Sequence, residues 1–301
     1  MRFGFSVPAY GLHANGPEIR DLLEAGDELG FDSAWFPDHI AVPDYAVAVN
    51  LTPPFLEPLA TCAWGLGITM RLRMGTDVLV APYRHPLLVS AMTGTLGRLA
   101  GDRLILGVGI GYLKGEFEIL GTAPYERRAA VTEEFLRAQR SAPAGCSVVS
   151  PPTPVPLWVG GNAVAAQRRA ALLGDGWHPL WMPDGAYAEA RRRMLDVRAA
   201  AGLDGPFTFS YSCGATRLLT RPSESWSPPP ARALPGSEFR YAPEAWVDAD
   251  NRPHFVGTAD QLVSDFRLLE AAGVDHVTVR LGSTDVGDLE RFSTEVGAAF
   301  D

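Results

Sequence analysis

The sequence predicts an α/β protein, a single domain over residues 1–301 folded as a (β/α)8 TIM barrel with insertions. Three observations carry that prediction. Strand-like and helix-periodic segments alternate eight times along 301 residues. Turns rich in glycine, or bearing Asp38-His39, follow the strand-like runs, where a barrel keeps its active-site mouth. The length suits one large hydrophobic core. An open doubly wound sheet is the structural alternative, but such sheets rarely keep eight repeats.

Arg2 to Val7 reads as the first strand, ended by Pro8. Ile19, Leu22, Leu23, Gly26 and Leu29 recur at helical spacing, and Gly30 supplies the stop. Ser33 to Phe36 is the second strand and Glu57 to Leu66 the next helix. Leu72 to Val80 is a third strand, and Pro86 to Leu99 a helix with proline at its start. Arg103 to Gly109 is a fourth strand and Glu126 to Arg140 a fourth helix. Leu157 to Gly160 and Ala163 to Leu173 form the fifth pair, Gly176 to Pro179 and Ala186 to Ala201 the sixth. Phe207 to Cys213 is the seventh strand, served by the helix at Asp260 to Ala272, which stops at Gly273. His276 to Leu281 and Val286 to Phe300 close the series.

Two segments interrupt the alternation. Ser141 to Pro156 is rich in proline and serine. Arg221 to Pro253 carries Pro228-Pro229-Pro230 with Trp226, Phe239, Tyr241 and Trp246. This second insertion follows strand seven, on the catalytic side of a barrel. A lid over the mouth is the expectation, with a dimer contact or a disordered excursion as alternatives.

Composition narrows the function. Hydrophobic residues make up 47% and charged residues 20%, with a formal net charge of -9. An acidic balance disfavours nucleic-acid binding, which depends on phosphate neutralisation. Cys62, Cys146 and Cys213 are widely spaced and odd in number, so no zinc site or disulfide framework is expected. The apolar run at the N-terminus is too short for a signal peptide. No apolar stretch reaches the ~18 residues that span a membrane. A cytoplasmic enzyme with a small-molecule substrate is the expectation.

Each motif has a functional and a plain reading. Asp38-His39 is either a hydrogen-bonding carboxylate beside a proton-exchanging imidazole or an ordinary turn cap. Gly160-Gly161-Asn162 is either an anion cradle at a helix N-terminus, with Asn162 as N-cap, or a tight turn. Gly107-Val108-Gly109-Ile110-Gly111 lacks dinucleotide-fingerprint spacing; it admits close approach of a planar ligand at Gly109, or a plain turn. Asp77 is a charge inside a strand, tolerated when paired or pointed into the mouth. Arg84 and His85 belong to a rigid turn. Trp177 occupies another strand position, as a site residue or a buried aromatic.

The assembled pattern resembles the bacterial luciferase-like monooxygenase superfamily, in particular the branch that uses the deazaflavin F420. The carrying segments are Gly30 to His39, Gly75 to Leu79 with Tyr83 to Pro86, and Arg103 to Gly111 with Glu116-Phe117 and Leu120-Gly121. Pro156 to Asn162, Asp175 to Trp177 and Val256 to Thr258 complete it. The resemblance implies a luciferase-like barrel, commonly a homodimer, with a ring cofactor at the strand ends. It implies hydride transfer between F420 and a small organic substrate, with His39 as acid/base and Asp38 as a ring partner. Asp77-Val78 would be a strand-three bulge with a cis peptide behind the ring. Gly160, Gly161 and Asn162 would lie near the cofactor tail, and Trp177 and Gly109 near the ring. An FMN-dependent monooxygenase using oxygen is one alternative. A cofactor-free, non-catalytic barrel is another, motivated by Asp77 and by the short 141–156 connection.

Overall fold

The computed structural model describes residues 1–47, 51–141, 143–150, 154–220 and 252–300. The strands are β1 Arg2–Ser6, β2 Ser33–Phe36, β3 Arg73–Thr76, β4 Leu79–Val80, β5 Leu104–Gly109, β6 Leu157–Gly160, β7 Gly176–His178, β8 Thr208–Ser212, β9 Arg217–Leu218, β10 Val256–Gly257 and β11 His276–Val279. The helices are α1 Gly16–Glu28, α2 Asp44–Val47, α3 Pro58–Ile68, α4 Pro86–Ala100, α5 Lys114–Leu120, α6 Arg128–Ala138, α7 Val164–Leu173, α8 Asp184–Ala200, α9 Ala259–Ala271 and α10 Val286–Glu295.

All the barrel strands run parallel. Their order is β1-β2-β3-β5-β6-β7-β8-β11, and β11 pairs back onto β1 to close the ring. β3 and β4 are two halves of one stave. Gly75 pairs with Ile105 and Leu79 with Val108, so residues 76–78 stand opposite only 106–107. That one extra residue makes a bulge. The stretch expected as one strand, Leu72 to Val80, is therefore broken, and the Asp77–Val78 peptide in the break is cis.

Side chains alternate between the two faces of each stave. Phe3 points outward and meets Phe266 and Phe292 edge-on, with centroids 5.2 and 5.5 Å away. This layer between sheet and helices holds most of the apolar core. The inside of the barrel is different. Trp35, Ile105 and Trp158 form a separate buried cluster, and the two indoles lie 5.2 Å apart. Inward glycines leave the room: a Cβ on Gly75 would fall 2.5 Å from Trp35, and one on Gly176 would fall 2.6 Å from Trp158. His178 stacks on Trp35 with centroids 4.6 Å apart and 13° between planes.

The helices begin and end for local reasons. Glu57 caps α3 through the Ala60 N–H at 2.7 Å. Thr258 and Gln261 form a reciprocal capping box on α9. Gly30 and Gly273, at φ +80° and +89°, turn the chain from α1 and α9 toward the next strands. The anticipated lid, Arg221 to Pro253, lies outside the described residues except for its last two. Among the described residues no helix is long and apolar enough to cross a membrane.

Candidate active site at the strand ends

Asp38 and His39 follow β2 at the mouth, as expected, but they do different work. Asp38 is buried and fully engaged. Its Oδ2 accepts from the Val80 N–H at 2.7 Å and from Arg84 at 2.6 Å, and its Oδ1 accepts from Arg84 at 2.8 Å. A bidentate guanidinium pair of this kind fixes geometry as well as charge. Arg84 also reaches Glu57 at 2.7 Å, tying β2, β4 and α3 together. His85 caps α4, its ring nitrogen accepting from Leu87 N–H at 3.3 Å.

His39 stands between two residues from beyond β5. Its Nδ1 is 2.9 Å from Glu116 Oε2, and its Nε2 is 3.2 Å from the Tyr112 hydroxyl. Glu116 is wholly buried on α5. Its Oε1 accepts from the Ile40 and Ala41 N–H groups at 2.6 and 2.9 Å, and Tyr83 donates to Oε2 at 3.0 Å. Burial alone would raise the Glu116 carboxyl pKa. The His39 contact and the two backbone N–H bonds outweigh it and hold the pKa below the usual glutamate value. Burial and the neighbouring Glu116 charge push the Tyr112 phenol up, so it stays protonated. Phe55 meets His39 edge-on at 4.9 Å and stacks with Tyr10 at 5.2 Å, giving this side of the mouth an aromatic wall.

Asp77, on the bulge, faces the mouth with its charge balanced. Oδ1 lies 3.3 Å from His178 Nε2, and Oδ2 accepts from Arg280 at 3.1 Å and from Ser212 at 3.3 Å. Burial raises the carboxyl pKa, but His178, Arg280 and Ser212 together bring it down to about 2. His178 in turn contacts Ser210 through Nδ1 at 2.6 Å. Val78 lies between two glycines: a Cβ on Gly109 would sit 2.4 Å from Val78 Cγ2, and one on Gly160 would sit 3.1 Å from Cγ1. Only the absence of those two side chains leaves Val78 its place.

Gly161, at φ +110°, swings the chain from β6 to α7. Asn162 was expected to cap α7 and does not. Ala163 is the N-cap, with no side-chain cap bond. The Asn162 amide instead bridges to the next βα loop, donating to Leu180 C=O at 2.6 Å and accepting from Leu180 N–H at 3.1 Å. Trp177 is also corrected. It points outward, stacked on Tyr187 at 4.9 Å, and only its indole N–H touches the site region, bonding Gly161 C=O at 2.9 Å. The inward residue of β7 is His178. Glu116 and Tyr83 stand in segments that carry the family resemblance, but their contacts with His39 and with each other, like that of His178 with Asp77, are visible only in space.

Fold and site together define a barrel protein with a His39–Glu116 pair beside a glycine-lined mouth. A family model described as luciferase-like monooxygenase matches residues 1–224, and the chain belongs to that family. An uncharacterized protein of Mycobacterium tuberculosis is 32% identical over 213 residues, covering 62% of this chain and 73% of that protein. An F420-dependent glucose-6-phosphate dehydrogenase of Nakamurella multipartita is 29% identical over 195 residues, covering 59% and 55%. Among solved structures, an F420-dependent secondary alcohol dehydrogenase bound to an F420-acetone adduct superposes with a TM-score of 0.76 at 16% identity. That match covers 100% of this chain and 99% of the other. A monooxygenase of Streptomyces bottropensis gives 0.73 at 18% identity, covering 100% of both. A further solved structure, the oxygenating constituent of 3,6-diketocamphane monooxygenase from Pseudomonas putida bound to FMN, gives 0.72 at 16% identity, covering 99% and 98%, so both F420- and FMN-dependent enzymes stand among the similar proteins.

Proposed function

We propose that this protein is an oxidoreductase that transfers a hydride between F420 and a small organic substrate, with His39 as the acid/base centre. The observation that carries the reading is the seat of Val78 between Gly109 and Gly160. Val78, sunk between the two glycines and half-buried, makes a low apolar floor that suits a flat tricyclic ring. Gly160 and Gly161 lead into a helix start without a side-chain cap, so backbone N–H groups and the positive dipole end face an anionic tail. Arg280, 3.1 Å from Asp77 Oδ2, offsets that carboxylate's charge, so it does not repel a ring cofactor placed beside it.

When bound, F420 supplies the hydride. The protein's residues do the rest. Val78 and the glycines support the ring, and His39 exchanges the proton. Asp38 acts through Arg84 and Val80 by holding the start of β4, away from the ring itself. The aromatic wall of Tyr10 and Phe55 favours an apolar substrate.

Equilibrium dialysis of the purified protein against F420 and FMN tests the reading. Micromolar retention of F420 is expected. Retention of FMN with none of F420 replaces the hydride-transfer reading with a flavin monooxygenase. Retention of neither favours a barrel without redox function.

A further inference from the structure

We propose that the barrel interior binds a file of ordered water along β11, one molecule in each gap between His276, Thr278 and Arg280, joining the barrel floor to the mouth. The file does not depend on which cofactor the mouth takes.

Val277 and Val279 point out into the main core, so the alternate residues His276, Thr278 and Arg280 point in. Each of these three holds a buried polar atom with no hydrogen-bond partner among the described residues: His276 Nδ1, Thr278 Oγ1 and Arg280 Nε. His276 and Thr278 are wholly buried. Buried polar groups are nearly always paired, because an unmet one forfeits its hydration with nothing in return. Three unmet atoms in succession on one inner face call for a common partner. Successive inward residues of a strand stand about 6.6 Å apart, too far for a direct bond. One water spans such a gap with two bonds of about 2.9 Å. Thr278 is flanked in register by Gly4 of β1 and Ser212 of β8, neither of which brings a large side chain.

Donors and acceptors agree along the file. At the floor, Asp32 pairs with Arg73 and lies 3.2 Å from His276 Nε2. Burial would raise the Asp32 carboxyl pKa, but His276 and Arg73 hold it below the usual carboxylate range. An ionised carboxylate only accepts, so Nε2 carries a hydrogen. For His276 burial outweighs the pull of Asp32 and lowers the pKa, which keeps the imidazole neutral and leaves Nδ1 a bare acceptor. At the mouth, Arg280 gives one terminal nitrogen to Asp77 at 3.1 Å, and its Nε can only donate. The Thr278 hydroxyl between them does both. A water that accepts from Arg280 Nε donates to Thr278 Oγ1. A second that accepts from the Thr278 hydroxyl donates to His276 Nδ1. The upper water thus holds the guanidinium from below while Asp77 holds another edge, and the file sets the plane of a cation at the mouth.

Oxygen-17 relaxation dispersion, which counts long-lived internal waters in solution, tests the file in wild type, Thr278→Ser and Thr278→Val. Serine keeps the hydroxyl and should keep the count. Valine matches threonine in shape without the hydroxyl, and its count should fall by about two molecules. In ¹⁵N-arginine-labelled protein the Arg280 Nε–H signal is assigned by its loss in Arg280→Lys. That signal should move in Thr278→Val and stay in place in Thr278→Ser. An undiminished count or an unmoved Nε–H signal in folded Thr278→Val overturns the file. If Thr278→Val does not fold, a high-resolution crystal structure of the wild type decides. A density peak bonded to Thr278 Oγ1 in each gap is expected, and gaps without peaks overturn the proposal.

Discussion

Glu116 Oε2 and His39 Nδ1 lie 2.9 Å apart although 77 positions separate them in the chain. The contact joins the loop after β2 to the short helix after β5. It makes an imidazole at the barrel mouth a group with one defined orientation.

His39→Ala should lower kcat by about 10²–10⁴-fold while F420 affinity changes little. Stopped-flow turnover paired with a binding isotherm checks both halves. An alanine variant with normal turnover returns His39 to a packing role.

Gly109→Ala tests the ring seat. The new methyl must displace Val78, because its ideal position lies 2.4 Å from Cγ2. We expect a folded barrel with F420 binding weakened at least about tenfold, on the order of 1.4 kcal/mol. Unchanged binding in a folded variant would remove the carrying observation of the proposed function.

Gly75→Ala addresses the interior. A Cβ there would press on Trp35 at 2.5 Å, beneath the mouth. Overpacking of this kind costs about 1–3 kcal/mol. Urea unfolding should show a lower midpoint with an unchanged slope.

Asp77 predicts an acid limb in stability. Its folded carboxyl sits at about 2 against 3.8 for the free group. Folding therefore favours the ionised form, and that stabilisation is fully present above about pH 4. It fades as pH falls through 2, and amounts to on the order of 2 kcal/mol. Asp77→Asn should be less stable than wild type at pH 7, and the gap should narrow steadily below pH 4. A gap that stays constant down to pH 2 contradicts the ion-pair account.

The repeating architecture was legible because each element announces itself locally. Ser33 to Phe36 and Leu157 to Gly160 match observed strands end to end, and most helices begin within two residues of their capping or proline signal. The broken third stave was expected from the family resemblance; periodicity alone read it as continuous. Trp177 went wrong for a simple reason. Alternation decides that only one of Trp177 and His178 faces inward, but a three-residue strand has too little pattern to set which. Asn162 carried the right residue type for a cap, and a tertiary partner, Leu180, took it instead. Glu116 lies in the first turn of a seven-residue helix, where an acidic residue looks like an ordinary first-turn charge. Its meaning resides in donors 33 to 77 positions away.

The buried indoles have one more consequence. Trp35 and Trp158 are sealed from solvent, and Trp35 is joined to the mouth by a single imidazole, His178, whose Nε2 lies 3.3 Å from Asp77. Two of the chain's seven tryptophans thus lie inside the barrel, directly beneath its mouth. Any occupant that absorbs in the near ultraviolet will drain their emission by resonance energy transfer. The dimming of this pair's share of the emission then reports an occupied mouth, with no label attached and no turnover required.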